Sequence, residues 1–190
     1  ADTAVRVSDE RALGQVTETE TPQGVLAVAR VPQFALHELR IPTGSVILVL
    51  DAVQDPGNLG TLIRSADAFG VAAVIVLPGT ADFWSPKVIR AAAGAAFRRP
   101  LLNVAEQQAW QWLAQHNVAI CGADMNGVAV DELRLERAAA LVVGNEGAGL
   151  RDGTRAHLTH LVAIPMRGET ESLNVAVAAS IVLYEFSRRR

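Results

Sequence analysis

Val46-Ile47-Leu48-Val49-Leu50, followed by Asp55-Pro56-Gly57-Asn58 and the stretch Leu59 to Phe69, decides the fold class. The five-residue apolar run has the character of a strand buried on both faces. The Asp-Pro-Gly-Asn segment reads as a turn. Beyond it, Leu59, Leu62, Ile63, Ala66 and Phe69 recur at helical spacing, and Gly70 can supply a left-handed C-cap. Val71 to Leu77 is a second buried strand. Strand, helix and strand in that order predict a parallel unit, and the same alternation continues along the chain. Ser85-Pro86 offers an N-cap and a first-turn proline for a helix to about Ala96. A helix over Glu106 to His116, strands at Val118–Cys121 and Ala139–Val143, a short helix after Gly149, a strand at Leu161–Ile164 and a long helix from Ser172 to about Ser187 complete an α/β domain with a mostly parallel sheet.

The first 45 residues differ. Ala1 to Gln23 is polar, with Thr17-Glu18-Thr19-Glu20-Thr21-Pro22 reading as an exposed linker. Val25 to Ala29 suits a short strand. Residues 1–40 are accordingly expected to be an N-terminal extension and linker, and 41–190 the functional domain.

Composition narrows the class. The 190 residues are 50% hydrophobic and 19% charged, which excludes a disordered segment. The lone Cys121 cannot form a disulfide framework or a zinc site, and fits a reducing compartment. No apolar run approaches the roughly 20 residues that span a bilayer. A soluble, cytoplasmic protein without a membrane partner is expected. With 17 Lys and Arg against 20 Asp and Glu the formal charge is −3, so nucleic-acid binding would have to come from local patches. Arg90, Arg98 and Arg99, and the terminal Arg188-Arg189-Arg190, are the candidates. Lys87 is the only lysine among those cations.

Three stretches lie where an α/β sheet places its ligand, beyond the carboxyl ends of strands. The first runs from Asp55 to Gly60, with Arg64 one turn later, on the helix face away from the apolar stripe. An ordinary surface arginine, paired with Asp67, is the plainer reading. The second is Gly144-Asn145-Glu146-Gly147-Ala148-Gly149-Leu150, whose glycines permit close backbone approach and positive φ. It matches neither a phosphate loop nor a dinucleotide fingerprint, and a tight turn with a capping Glu146 would also explain it. The third is Ile164 to Asn174, where Ser172 could cap the last helix and Asn174, a poor helix former, sits in its first turn.

In the last helix Leu173, Val175, Val177, Ala178, Ile181, Val182, Leu183 and Phe186 surround nearly the whole circumference. A helix apolar all round is buried on all sides, either inside the domain or against a partner subunit.

Together the three stretches resemble the SpoU (TrmH) family of RNA ribose 2′-O-methyltransferases, within the SPOUT superfamily. The resemblance runs from Thr21-Pro22-Gln23-Gly24-Val25 to Phe186. It is carried by Asn58 through Arg64, Leu141 through Gly149 with Glu146, and Ile164 through Asn174 and on to Tyr184-Glu185. Ala92, where relatives often have serine, Ala176 and Ser180 depart from the pattern without touching its polar residues.

The resemblance implies a Rossmann-like sheet with a deep C-terminal trefoil knot, an arrangement pattern reading alone would never suggest. It implies S-adenosylmethionine as cofactor, with Gly144, Glu146 and Gly147 lining one side of its site and Ile164, Met166, Ser172, Leu173 and Asn174 the other. It implies a homodimer through the last helix, and a linker that leads in from an RNA-binding domain missing from this sequence. Arg64 is the implied activator of the ribose hydroxyl, with Asn58, Glu146 and Asn174 organising the site. A guanidinium with pKa above 12 is a poor base, so orienting the target ribose and phosphate suits it better, with direct proton transfer left open. The sulfonium methyl is already activated, so no metal is expected. Ribosomal RNA is favoured over transfer RNA as the substrate, because Pro22-Gln23-Gly24 resembles the lead-in of the two-domain ribosomal group. A non-catalytic dimeric RNA-binding module is the alternative of another class.

Overall fold

The structure, a computed structural model, describes residues 4–17 and 23–188. The chain divides into two compact units, residues 1–32 and 33–190. In the first, helix α1 spans Glu10–Val16, and Asp9 caps it by accepting from the Ala12 N–H at 2.8 Å. Val25 to Ala29 forms no strand and is exposed, because among the described residues nothing pairs with it. The expected linker falls, from 18 to 22, outside the described residues, as do Arg189 and Arg190.

The second unit holds six parallel strands. They are β1 (Val46–Leu50), β2 (Ala73–Val76), β3 (Leu101–Asn103), β4 (Ala119–Ala129), β5 (Ala139–Val143) and β6 (His160–Ala163), in the order β3-β2-β1-β5-β4-β6. Between them run α2 (Pro56–Ala68), α3 (Pro86–Ala91), α4 (Glu106–Gln115) and α5 (Asp152–Arg155), and α6 (Val175–Arg188) closes the chain. Both faces of the sheet are covered. Leu48 and Leu50 pack with Leu62 and Ile63 of α2 and Val182 and Leu183 of α6. Ile47 and Val49 point the other way, towards Trp110 and Leu113 of α4. This double burial is why β1 is apolar at every position.

The strand order reverses between β1 and β5, whose register runs from Val46↔Ala139 to Leu50↔Val143. Their carboxyl ends therefore finish side by side at a topological switch point, where such sheets bind ligands.

Four expectations are corrected. Asp55 caps α2 by accepting from the Asn58 N–H at 2.8 Å, and Pro56 opens the helix, so Asn58 lies in its first turn rather than in a preceding loop. α3 stops at Ala91, not near Ala96, because Ala93 and Gly94 take positive φ before a short 3-10 turn at Ala95–Phe97. α6 starts at Val175, three residues later than expected, and Asn174 rather than Ser172 caps it. β4 continues well beyond Cys121 to Ala129, slipping register against β6 between Ala123 and Val128. Gly127 permits this close pairing, since a Cβ there would lie 2.5 Å from the Leu161–Val162 backbone. Strand β3 and helix α1 were not anticipated; three residues are too few to show a period. Cys121 is buried, which pushes its thiol pKa up to about 12. Among the described residues no helix is long and apolar enough to cross a membrane.

Candidate active site

The three polar stretches follow β1, β5 and β6 and converge on the first turn of α2. Glu146 is the hub. Its Oε1 accepts from the Asp55 N–H at 3.0 Å and from Asn58 Nδ2 at 3.2 Å, and its Oε2 from the Gln54 N–H at 3.2 Å. Asn58 passes the connection on, its Oδ1 accepting from Asn174 Nδ2 at 2.9 Å. Residues 88 and 116 positions apart in sequence are thus joined in one hydrogen-bonded row. Burial works to raise the Glu146 pKa. Bonds from its own N–H, Asp55, Asn58 and Gln54 outweigh that, holding the carboxyl below the usual glutamate range. It is a charged clamp whose oxygens are already occupied, not a base awaiting a proton.

Asn174 serves two purposes. While its Nδ2 reaches Asn58, its Oδ1 accepts from the Ala176 and Val177 N–H groups at 2.9 and 3.3 Å. This is the reason for an asparagine there: a cap needs an acceptor, and the contact with α2 needs a donor.

Asn145 and the pair Asp51–Arg151 carry the loop that presents Glu146, and sequence reasoning passed over all three. Asn145 Oδ1 accepts from the Gly147 and Ala148 N–H groups, both at 3.0 Å, closing the turn. Its Nδ2 donates to the Ala52 carbonyl at 3.0 Å, across at the end of β1, where Ala52 is held at φ 61°. An asparagine ahead of small residues was the available signal for such a turn. Asp51 is fully buried and is ion-paired with Arg151, whose backbone N–H also donates to it at 3.2 Å. Nothing in the local pattern pairs residues that lie 100 positions apart.

The glycines of the second stretch serve the loop first. A Cβ on Gly144 would fall 2.3 Å from the Gly149 backbone, and Gly149 itself has φ +70°. Close approach to a ligand is therefore not the reason Gly144 lacks a side chain.

Below the hydrogen-bonded row lies a cleft of about 860 Å³. Gly144, Glu146, Gly147, Ile164, Met166, Ser172 and Leu173 all line it; Asn174 does not, since it points to Asn58 instead. A wall that sequence reasoning missed comes from the slipped part of β4, Asp124 to Gly127. Asp124 is tied to Arg155 at 2.5 Å, and Arg155 Nε also donates to the Leu150 carbonyl at 3.2 Å, so this wall is anchored to the end of the Glu146 loop. Bonds from the Asn126 N–H and Arg155 keep the Asp124 pKa below its ordinary value. The cleft suits a nucleoside-sized ligand, with backbone along one side and Ile164, Met166 and Leu173 along the other.

Arg64 stands apart from this network. It is exposed on α2, and among the described residues its side chain makes no hydrogen bond or ion pair. Pairing with Asp67 does not occur. That carboxylate is taken by Arg98 at 2.8 Å and Arg99 at 2.7 Å, with the Arg99 bond the main cause of its lowered pKa. Two of the expected RNA-binding cations, Arg98 and Arg99, are thus engaged in bracing α2. Arg188 at the other candidate patch pairs with Glu185.

Comparison with known proteins shows the family. Residues 45–184 match the SpoU rRNA Methylase family. The chain belongs to that family. It is 43% identical over 177 residues to the 23S rRNA (guanosine(2553)-2′-O)-methyltransferase RlmP of Bacillus subtilis, covering 92% of this chain and 69% of that protein. It is 40% identical to the 23S rRNA (guanosine-2′-O-)-methyltransferase RlmB of Coxiella burnetii over 90% of this chain and 72% of that one. The AdoMet-bound rRNA methyltransferase of Sinorhizobium meliloti superposes with a TM-score of 0.90 at 31% identity, over 95% of this chain and 70% of that one. The SpoU methyltransferase AviRb of Streptomyces viridochromogenes, in complex with AdoMet, gives 0.78 at 32% identity, and there the match spans 84% of this chain but only 63% of that one.

Proposed function

We infer that this chain transfers a methyl group from S-adenosylmethionine to a ribose 2′-hydroxyl of ribosomal RNA. The observation that carries the reading is the row Asn174–Asn58–Glu146, which ties all three polar stretches together and ends at Glu146 in the wall of one cleft. The relatives' action on 23S rRNA supports ribosomal over transfer RNA. A cytoplasmic location is the corollary of that substrate.

The cofactor, when bound, supplies an electrophilic methyl on a sulfonium whose charge vanishes on transfer. Gly144, Glu146, Gly147, Ile164, Met166, Ser172 and Leu173 would hold it, the apolar side chains excluding water so that loss of charge is favoured. Glu146, kept ionised, fixes the Gln54–Asn58 backbone. Asn174 holds the third stretch against the first. Arg64, whose donors meet no partner among the described residues, grips the target phosphate or ribose and orients the hydroxyl; a planar fork is suited to a phosphate.

A trefoil knot and a homodimer belong to the same reading. Leu133 and Leu135, in the connection from β4 to β5, pack in one cluster with Phe186 near the end of α6. Packing of the last helix on this earlier connection supports that reading, in which the end of the chain passes through a loop. Homodimerisation through α6 is supported by Val177, Ile181 and Tyr184, which are exposed at i, i+4 and i+7, opposite the buried Ala179, Val182 and Phe186. Residues 41–190 as the catalytic unit agree with the matched span and with the compact unit from 33.

The test is to incubate the chain with S-adenosylmethionine and ribosomal RNA and digest the product with alkali. A methylated 2′-oxygen cannot attack the neighbouring phosphate, so the expected product is one alkali-resistant dinucleotide carrying the label. Label recovered on a base, or on transfer RNA alone, overturns the assignment.

A further inference from the structure

The segment from Phe83 through α3 to the 3-10 turn at Ala95–Phe97 carries features that methyl transfer does not use. Phe83, Trp84 and Phe97 form a row of rings, with centroids 5.3 Å and 5.8 Å apart. Phe83 is buried and anchors the row, whereas Phe97 at its far end is 49% exposed. Lys87 and Arg90 lie three positions apart on α3, hence on adjoining parts of its surface. Both are exposed, and among the described residues neither side chain makes a hydrogen bond or ion pair. Every other cation of the lysine–arginine set is arginine, so Lys87 stands out in composition as well.

The row adjoins the helix that bears Arg64. α2 packs on α3 so closely at Gly60 that a Cβ there would lie 2.4 Å from the Ala91 Cβ. Arg64, one turn further along, is on that same side of α2. The acids of the region are Asp67, neutralised by Arg98 and Arg99, and Asp82, which accepts from the Trp84 N–H at 2.9 Å. Five cations (Arg64, Lys87, Arg90, Arg98, Arg99) against these two acids give 5 − 2 = +3, in a chain whose whole charge is −3.

We propose that the Trp84–Phe97 ridge, with Lys87 and Arg90, is the docking surface for an unpaired RNA segment that flanks the nucleotide delivered to Arg64. The inference rests on the RNA-methyltransferase reading and adds where the strand runs. Exposed cations without carboxylate partners complement a polyanion. An exposed ring held at a 43° tilt to a second ring offers a face on which one base can stack, which a duplex, with its bases covered, cannot use.

The single lysine makes the test direct. Acylation of Lys87 by an amine-reactive reagent is followed by mass spectrometry on the full chain, alone, with an unstructured oligoribonucleotide, and with a duplex of the same sequence. The single strand is expected to slow acylation several-fold and the duplex to leave it unchanged. In parallel, Lys87→Gln with Arg90→Gln, at exposed positions, should weaken single-strand binding and flatten its log–log salt slope by roughly 0.7 per charge removed. Phe97→Ser should cost roughly tenfold in affinity. S-adenosylmethionine affinity should stay that of the parent in all of them. If RNA binds while Lys87 stays fully reactive and the charge variants bind like the parent, the surface is wrong and the RNA reading stands. Equal protection by the duplex overturns the unpaired-strand claim. No binding of either RNA at low salt removes the proposal together with the reading beneath it.

Discussion

The two turns of α2 that carry Asn58 and Arg64 treat these two side chains in opposite ways. In its first turn Asn58 is bonded on both sides, to Glu146 and to Asn174, and Asp55 caps the helix beneath it. Further along, Arg64 meets no described partner. The first of these turns is already organised without any ligand, because its donors and acceptors satisfy one another. In the second, Asp67 is held by Arg98 and Arg99, and the Arg64 guanidinium is unspent among the described residues. Groups that shape a pocket must be fixed in advance, whereas a group that grips the substrate must be free until the substrate arrives.

Arg64→Ala breaks this comparison at its free end. Methyl transfer should fall by at least about 10²-fold, the usual loss for one positioned catalytic group, while melting temperature stays unchanged. Arg64→Lys should rescue only part, since the planar fork is gone. A near-parental rate for Arg64→Ala would hand its role to another residue.

Next in size is Asp51→Ala. It leaves Arg151 without its buried partner and frees the loop that carries Glu146. Because Arg151 itself reaches solvent, the cost should be about 2 kcal/mol, below the range for a wholly buried pair. Chemical denaturation measures it, and a loss under about 0.5 kcal/mol would show that the pair does not hold the loop.

Asn174→Ala removes a helix cap and the bond to Asn58 together. A stability loss of about 1 kcal/mol is expected, with a several-fold weaker cofactor affinity by calorimetry. Asn174→Asp keeps the cap but cannot donate to Asn58, so it should recover the stability and not the affinity. Equal behaviour of the two variants would mean that Asn174 acts through the helix alone.

The smallest effect is that of pH. The folded-state pKa of Glu146 lies below its unfolded value. Its contribution is therefore fully present above the unfolded value of about 4.3 and is lost as pH falls through the folded one. Cofactor affinity should be flat from about pH 8 to 5 and decline only below the ordinary glutamate range. A decline centred near pH 6 would point to a different group.

Much of this could be read from residues because it depends on short-range pattern. Val46–Leu50 and Ala139–Val143 are apolar throughout, since each is covered on both faces, and α2 shows its stripe plainly. The three polar stretches were visible as departures from those patterns. What joins them was not. The bonds Glu146–Asn58 and Asn58–Asn174, and the pair Asp51–Arg151, connect residues about 90 to 120 positions apart, and no local rule specifies a partner so distant. The slipped part of β4 escaped notice for another reason. Asp124-Met125-Asn126-Gly127 has the composition of a turn and bulges out of the ladder, with Ala123 and Val128 on either side of it both facing Val162 of β6, while Gly127 lets the two backbones meet. Arg98 and Arg99 could be named as candidate cations, but not their bonds to Asp67, which lies on α2 about 30 positions earlier.

One measurement bears most directly on the contrast between the fixed Glu146–Asn58 row and the free Arg64: calorimetric titration of S-adenosylmethionine into Arg64→Ala and Glu146→Gln side by side. Glu146→Gln replaces a charged acceptor of backbone and Asn58 bonds with a neutral amide, so its affinity should fall roughly tenfold. Arg64→Ala should bind the cofactor as the parent does. Equal weakening in both, or parental affinity in Glu146→Gln, would contradict the account.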